Sequence, residues 1–245
     1  MFFHLFSFFY ALIYFFALEI IVFYPHCFFY VSGGVAFIVW LAAKKVAYRK
    51  SSFLVPLIFA WSAMTLLFLI DNFQQEQIFI GISSFLFYLF FLGMYRLKSY
   101  LKDKTAQGLL AATSLAGLFL FYSAGWGIYL NFLIPLWIMI LVYSLITFLF
   151  SYYYLCLIDW GKKRKCVLFS LILSLGIAEM VWGVNFWPFG YLSTGVILLI
   201  IYFLLWDIIQ NFLKGEFTYK RTYFTFLLFT FLIGIILYTT KWLPF

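Results

Sequence analysis

The chain has 245 residues, of which 67% are hydrophobic and only 10% charged, and its mean hydropathy is +1.08. Soluble domains usually carry about a quarter charged residues, so this composition excludes a water-soluble fold. The net charge of +8 would suit an anionic partner, but the basic residues lie in short loops between apolar segments. Membrane topology explains that placement, which argues against nucleic-acid binding.

Apolar segments of about 20 residues, the length that crosses a bilayer, predict nine transmembrane helices. The first segment lacks a basic start and a small-residue cleavage site, so we interpret it as a retained helix. The predicted fold is all-α, a polytopic transmembrane helix bundle, with residues 1–245 as a single transmembrane domain and no soluble domain. The predicted helices cover about Phe2–Tyr24, Phe28–Ala43, Phe53–Ile70, Ile78–Tyr95, a segment from Ala106 that fades into Ser123–Tyr129, then Phe132–Ile158, Cys166–Gly183, Tyr191–Phe212 and Tyr223–Thr240.

Charge placement predicts the orientation of the bundle, because Lys and Arg in short loops collect on the cytoplasmic side. Fifteen of the sixteen basic residues fall in alternate loops, at residues 44–50, 96–104, 162–165 and 214–221, and only Lys241 falls on the other side. The sequence therefore predicts a multi-pass protein of the cell membrane with a cytoplasmic N-terminus and an external C-terminus. The same alternation supports the count of nine helices.

Two segments near opposite ends of the chain resemble one another. The stretch from Glu19 to Val35 aligns with Ala178–Val196 once one residue is inserted before the turn, so that an acid, a serine and a glycine coincide. A shorter likeness joins Tyr48–Phe53 to Tyr219–Phe224. These matches predict a parallel pseudo-repeat of helices 1–3 and 7–9, of the kind found in some transporters.

The aligned acids Glu19 and Glu179 are the main candidate site residues. Each lies six or seven residues before its predicted outer turn, which at about 1.5 Å per residue puts it roughly 9–10 Å below the outer surface. An acid at that depth is costly unless paired, hydrated or protonated, so it is a functional hypothesis by default. Ser32 and Ser193 follow the turns at similar distances and are expected level with the acids, within hydrogen-bonding reach. Asn185 is expected in the same polar rim or in the turn itself.

Three interpretations of the two acids remain open. They could be protonated or held by the serines, as polar contacts between helices. They could face one another or a shared cavity, and bind a proton, a cation or a polar head group from the outer side. Their side chains could also reach the interface and do neither.

The sequence shows no motif of known catalytic, metal or cofactor chemistry. It contains no glycine-rich phosphate loop and no zinc-ligand spacing, and no mid-membrane Lys that could hold a Schiff-base chromophore. His26 and Cys27 are adjacent, but neighbouring side chains seldom point at one another, and no orienting group follows. We therefore predict no catalytic residue, no metal site and no cofactor, and we favour a non-enzymatic protein.

Two functional classes follow from this pattern. The first is a small transporter, or a protein that handles a lipid or small molecule, and uses the paired intramembrane glutamates near the outer side. The alternative is a non-catalytic subunit or scaffold of a larger membrane complex. The expected partners are the lipid bilayer, anionic lipid head groups at the cytoplasmic basic loops and, for a subunit, other membrane proteins.

Overall fold

The computed structural model describes residues 2–46, 53–100, 103–132, 134–158, 163–215 and 218–240. Over these residues the protein is all-α, with nine α-helices, a short 3-10 helix at Pro25–Cys27 and no strand. The α-helices are α1 Phe2–Phe23, α2 Phe28–Val46, α3 Leu54–Leu67, α4 Phe73–Ser99, α5 Lys104–Asn131, α6 Leu136–Ile158, α7 Lys163–Val184, α8 Tyr191–Lys214 and α9 Tyr219–Thr239. Part of the predicted basic loops and of the shorter likeness lies outside the described residues, namely Tyr48–Ser52, Lys102, Lys162 and Lys241.

Eight of the described helices are long and apolar enough to cross a membrane, which indicates a multi-pass membrane protein. The remaining helix, α3, has 14 residues. Its length is only about 21 Å, whereas the hydrocarbon core of a bilayer is about 30 Å thick. The helix ends at Leu67, and the backbone N–H groups of Leu69 and Ile70 then donate turn hydrogen bonds to the carbonyls of Leu66 and Leu67. Most residues of α3 are buried, so protein rather than lipid surrounds it and a shorter helix is accommodated.

The fifth helix differs most from its predicted extent. The glycine-bearing segment Ser123–Tyr129 does not fade from the helix, because α5 continues through it to Asn131. A backbone in an apolar interior keeps its internal hydrogen bonds, and here the glycines serve close packing instead. At Gly125 an added Cβ would lie 2.8 Å from the Tyr143 hydroxyl, so only glycine allows this contact.

The sixth helix starts later than predicted, at Leu136, directly after Pro135.

The chain divides into two compact units, Met1–Phe121 and Tyr122–Phe245, and α5 contributes to both. Unit 1 is built around α1 and α4, which pack along one another. Tyr14 of α1 stacks on Phe87 of α4 with ring centroids 4.3 Å apart. We name the two ends of this unit after Glu19 and Lys98, because Glu19 meets the start of α4 and Lys98 lies near its end.

The described Lys and Arg side chains of unit 1 lie at one of its ends, and Glu19 and Glu76 lie at the other. Lys98 donates a hydrogen bond of 2.6 Å to the carbonyl of Lys45 at the end of α2, and Arg96 pairs with Asp103 at 2.8 Å. Glu76 lies at the opposite end, in a pocket of about 170 Å³ beside the ends of α1 and α3. α3 therefore runs from the Lys98 end to the Glu19 end, and the chain reverses direction at each of the first four helices.

Unit 2 contains the last part of α5 and the helices α6 to α9. α6 packs along α7, α7 packs on α8, and α8 packs on α9. We name its ends after Gly190, which precedes α8, and Gly215, which follows it with φ +71° in the left-handed region that glycine favours. Phe203 of α8 meets Phe229 of α9 with ring centroids 5.5 Å apart, but the apolar stretch of α9 contributes nothing to the buried core.

Candidate functional site

Glu19 is half-buried near the end of α1 and has a partner from another helix. Gln77, in the second turn of α4, donates its side-chain N–H to the Glu19 carboxylate at 3.2 Å. This contact places an acid and an amide at the Glu19 end of unit 1. Ser32 was predicted to lie beside Glu19, but the buried Ser32 hydroxyl donates to the carbonyl of Phe29 at 2.9 Å, within its own helix.

Glu179 has different surroundings. It is exposed on α7, in a stripe of otherwise apolar exposed residues whose spacing repeats every three or four positions. The flanking members are Leu168, Ile172, Leu175, Trp182 and Phe186. Within the described residues no hydrogen bond or ion pair of Glu179 is formed. Glu19 belongs to unit 1 and Glu179 to unit 2.

Ser193 and Asn185 both lie near the Gly190 end of unit 2, with separate partners. The Thr240 hydroxyl, just after α9, donates to the Ser193 hydroxyl at 3.2 Å. Both residues line a groove of about 530 Å³ between α8 and α9. Asn185, directly after α7, accepts a hydrogen bond of 2.7 Å from the hydroxyl of Tyr129 on α5. The serine expected beside Glu179 is therefore engaged with α9 instead.

The Tyr129–Asn185 contact begins a series of polar side chains that continues through the interior of unit 2. The Trp126 ring lies 5.2 Å from that of Tyr129, measured between centroids. Ser123 follows one turn back along α5 and packs against Gly195 of α8. All these contacts lie towards the Gly190 end.

The middle of the series joins α5 to α6. The Tyr143 hydroxyl donates to the carbonyl of Tyr122 at 2.6 Å, and the two rings stack with centroids 5.4 Å apart. The Tyr122 hydroxyl in turn shares a hydrogen bond of 2.8 Å with Thr147. These three residues are fully buried, so each hydrogen bond satisfies a hydroxyl group that would otherwise be costly in the apolar interior.

The series continues between α6 and α8 towards the Gly215 end. Ser151, one turn after Thr147, shares a hydrogen bond of 3.1 Å with the Tyr202 hydroxyl. Gln210 donates to the Tyr154 hydroxyl at 3.3 Å. In the same part of α8, Asn211 donates to the Asp207 carboxylate at 3.0 Å.

We call this series the polar track of unit 2. Apart from Asn185, its members come from successive turns of α5, α6 and α8, and most of them are buried. Thr147, Ser151 and Tyr154 share one face of α6 because their spacing of four and then three residues matches the helical repeat. From the Gly190 end to the Gly215 end the track comprises Asn185, Tyr129, Trp126, Ser123, Thr194, Tyr143, Tyr122, Thr147, Ser151, Tyr202, Tyr154, Gln210, Asn211 and Asp207.

Three polar atoms of the track are buried and have no hydrogen-bond partner among the described residues. They are the hydroxyls of Ser123 and Thr194 and the indole N–H of Trp126. All three belong to the crossing of α5 and α8, because Ser123 contacts Gly195, the residue after Thr194, and Trp126 lies one turn from Ser123. A buried group without a partner typically costs about 1–3 kcal/mol, so their clustering marks this crossing as a place that is not optimised for stability alone.

Of the track residues, only Asn185 was named as a candidate from the sequence, and that assignment stays a prediction. A usable signal was present, since hydroxyl residues recur at helical spacing within the otherwise apolar α6. The described residues contain no cluster of three or more His, Cys, Asp or Glu side chains that could hold a metal ion. His26 is exposed and Cys27 is half-buried in the turn between α1 and α2.

Comparison with known proteins gives a family without an assigned activity. Residues 31–240, most of the chain, match the family described as "Protein of unknown function (DUF5656)". No curated protein and no solved structure matches the chain.

Proposed function

The chain belongs to the DUF5656 family, and we propose that it is a small membrane transporter that moves a polar species through the interior of unit 2. The polar track is the observation that carries this proposal. It offers hydrogen-bonding groups at successive depths from the Gly190 end to the Gly215 end. A polar species that leaves water needs such replacements for its hydration.

A purely structural role would require fewer polar groups. In membranes a hydrogen bond between helices stabilises by only about 0.6 kcal/mol on average. Phe, Val and Ala would pack in place of Tyr, Thr and Ser without the cost of burying hydroxyl groups. The three polar atoms at the α5–α8 crossing have no partner among the described side chains and backbone groups, so they form no helix–helix hydrogen bond that would offset this cost.

We propose a cytoplasmic N-terminus, with the Lys98 end inside and the Glu19 end outside, because the described basic side chains of unit 1 gather at the Lys98 end. Glu19 and Glu179 then lie towards the outer side and are the candidates for attracting a proton, a cation or a polar head group. The parallel pseudo-repeat is supported by the aligned sequences alone.

Flux measurements on the purified protein in liposomes test transport. Stopped-flow light scattering would follow glycerol and urea entry, and ion-sensitive dyes would follow protons and potassium. We expect flux of at least one species above that of empty liposomes. Tyr122→Phe combined with Thr147→Val should reduce it, while Thr230→Val, on the exposed surface of α9, should not. Equal flux in protein-containing and empty liposomes for every species would contradict the proposal.

A second candidate function is that of a subunit in a larger membrane complex. The observation in its favour is Glu179, an exposed acid without a partner among the described residues, in the apolar stripe of α7. A partner helix with a hydrogen-bond donor at that level would satisfy the carboxyl group. Native mass spectrometry after gentle extraction distinguishes the two: a stoichiometric protein favours a subunit, whereas a bound lipid or small molecule favours the transporter. Glu179→Gln should weaken binding of such a partner.

A further inference from the structure

We infer that water molecules bind at the crossing of α5 and α8, on Ser123, Trp126 and Thr194, and that the species carried by the polar track is the proton. The water site stands on the geometry of the crossing. The identity of the carried species rests also on the proposed transport function.

The crossing is too tight for a larger solute. A Cβ added at Gly195 would lie 3.0 Å from both the Cα and the Cβ of Ser123, so the two helices touch at backbone level. Gly125, two residues further along α5, is in similar contact with the Tyr143 ring. A hydrated ion or a sugar could pass here only if the helices separated, whereas a proton needs no open pore.

The chemistry of the unpartnered atoms selects a neutral ligand. The indole N–H of Trp126 can only donate, while the hydroxyls of Ser123 and Thr194 can donate and accept. The polar residues named at this crossing carry no charge, so nothing there would compensate a bound cation or anion. Water donates and accepts, so a water molecule is a suitable partner for each of these three atoms.

The hydroxyl groups of the track suit proton transfer, because Tyr, Ser and Thr hydroxyls each hold one proton and can accept another. The Tyr143 hydroxyl donates to the backbone carbonyl of Tyr122, which has no proton to release, so a water must carry the proton from the crossing to the Tyr122 hydroxyl. A proton that arrives at one hydroxyl oxygen forms a new O–H bond as that oxygen releases its own proton to the next group. The hydroxyls then rotate back, so one proton crosses and no side chain is changed. The Asp207 carboxylate lies at the Gly215 end and accepts a hydrogen bond from Asn211. Thr147 and Ser151 lie four residues apart on α6, about 6 Å along the axis, so a second water would bridge that step.

The water site can be tested without any transport measurement. Protein with ¹⁵N-labelled tryptophan in nanodiscs would be examined by NMR, and the Trp126 indole signal assigned by its loss in Trp126→Phe. We expect an exchange or NOE cross-peak between this N–H and water. It should be lost when Ser123→Ala is combined with Thr194→Val, and retained in Thr230→Val. A Trp126 N–H that shows no contact with water and resists deuteration would overturn the water site.

Proton movement is tested in liposomes that contain a pH-sensitive dye, with a potassium diffusion potential as the driving force. We expect proton entry above that of empty liposomes. Tyr202→Phe, which removes the partner of Ser151, should reduce it by at least about tenfold, since positioned proton-transfer groups typically contribute such factors or more. Thr230→Val should leave it unchanged, and thermal midpoints would verify that both variants fold.

The outcomes separate the inference from the proposed function. Flux of glycerol, urea or potassium without proton flux would overturn the proton assignment and leave transport in place. Proton flux that Tyr202→Phe does not reduce would show that protons take another route, and would also overturn the inference. Absence of every flux would contradict the proposed function itself, while the NMR result would still decide the water site.

Discussion

Glu19 is held at the end of its helix by a side chain from α4, which is 58 positions later in the sequence. The contact explains how an acid can occur near the end of a membrane helix, because an amide N–H satisfies part of the carboxylate. The Ser32 hydroxyl, by contrast, donates to the Phe29 carbonyl of its own helix, α2. The partner was hidden from sequence analysis, since Gln77 lies in a polar loop where nothing distinguishes it from its neighbours Gln74 and Gln75.

Removal of the Gln77 side chain should therefore destabilise unit 1. We expect Gln77→Ala to lower the free energy of unfolding by about 0.5–2 kcal/mol, the range of interhelical hydrogen bonds in membranes and bonds to charged groups. Gln75→Ala is the matched control because Gln75 lies two residues earlier in the same helix and its side chain is exposed. Stability in mild detergent, measured by titration with SDS, would compare the two. Equal midpoints would show that the Glu19 contact adds nothing.

Gly195 should tolerate no side chain, because its α-hydrogens face Ser123 across the α5–α8 crossing. We expect Gly195→Ala to destabilise the protein by about 1–3 kcal/mol, the usual cost of overpacking. Gly183→Ala on α7 meets nothing within 4 Å, and should be neutral or stabilising by up to about 1 kcal/mol, because alanine favours the helix. Thermal midpoints of both variants would check this contrast, and a neutral Gly195→Ala would mean that the helices separate readily.

At the scale of single elements, the apolar pattern predicted which segments are helical, while their ends depended on local groups. The start of α4 is earlier than predicted because Asn72 caps it by accepting from the backbone N–H of Gln74. Polarity suggested a loop for residues 73–77, but they form a helix in which Gln77 contacts Glu19 of α1 and Glu76 lines the pocket beside the ends of α1 and α3. The polar track was missed for a related reason: single Tyr, Ser and Thr residues in apolar helices are common, and only tertiary contacts show that they align.

The start of α5 offers a pH-dependent element outside the membrane-spanning segments. The Thr105 hydroxyl donates to Asp103 and, with the Ala106 and Thr105 backbone N–H groups and Arg96, holds the pKa of that carboxyl below its usual range. Because the folded pKa is lowered, the stabilisation is complete above the unfolded value of about 4. It is lost as the pH falls through the lower folded value.

Asp103→Ala should lower the thermal midpoint at neutral pH, and the difference from the natural protein should shrink as the solution becomes acidic. Asp103→Asn should still accept hydrogen bonds from the backbone N–H groups at the start of α5, but it loses the ion pair with Arg96. Its thermal midpoint should therefore lie between those of the natural protein and Asp103→Ala. Its midpoint should depend less on pH than that of the natural protein. Thermal unfolding from about pH 3 to pH 7 would measure all three proteins. A difference that stays constant across this range would contradict the assigned cause.

For the whole molecule, composition and charge were sufficient for the class and for the number of helices. Continuous apolar runs indicated a multi-pass membrane protein, and the charge alternation supported a third helix that, as described, is too short to be recognised as a membrane span by length. The pairing of Glu19 with Glu179 depends on how distant segments meet, which low-complexity apolar sequence does not specify. It stays a prediction.

The orientation can be tested with the natural thiols. Cys156 and Cys166 are buried, whereas Cys27 is half-buried in the turn at the Glu19 end. We expect a membrane-impermeant maleimide to label Cys27 in intact cells, because this end is proposed to lie outside. Cys27→Ser should abolish labelling. Modification that appears only after the membrane is opened would reverse the orientation.

The peripheral position of α9 has a consequence for biosynthesis. α5 to α8 carry the whole polar track, and the chain has completed them before α9 is made. Because α9 packs against α8 and its described residues contribute nothing to the buried core, the interior of unit 2 does not need α9 in order to pack. A chain cut short within α9 would therefore keep a folded interior, and cellular quality control would have to recognise it by the uncovered face of α8 rather than by a disordered core.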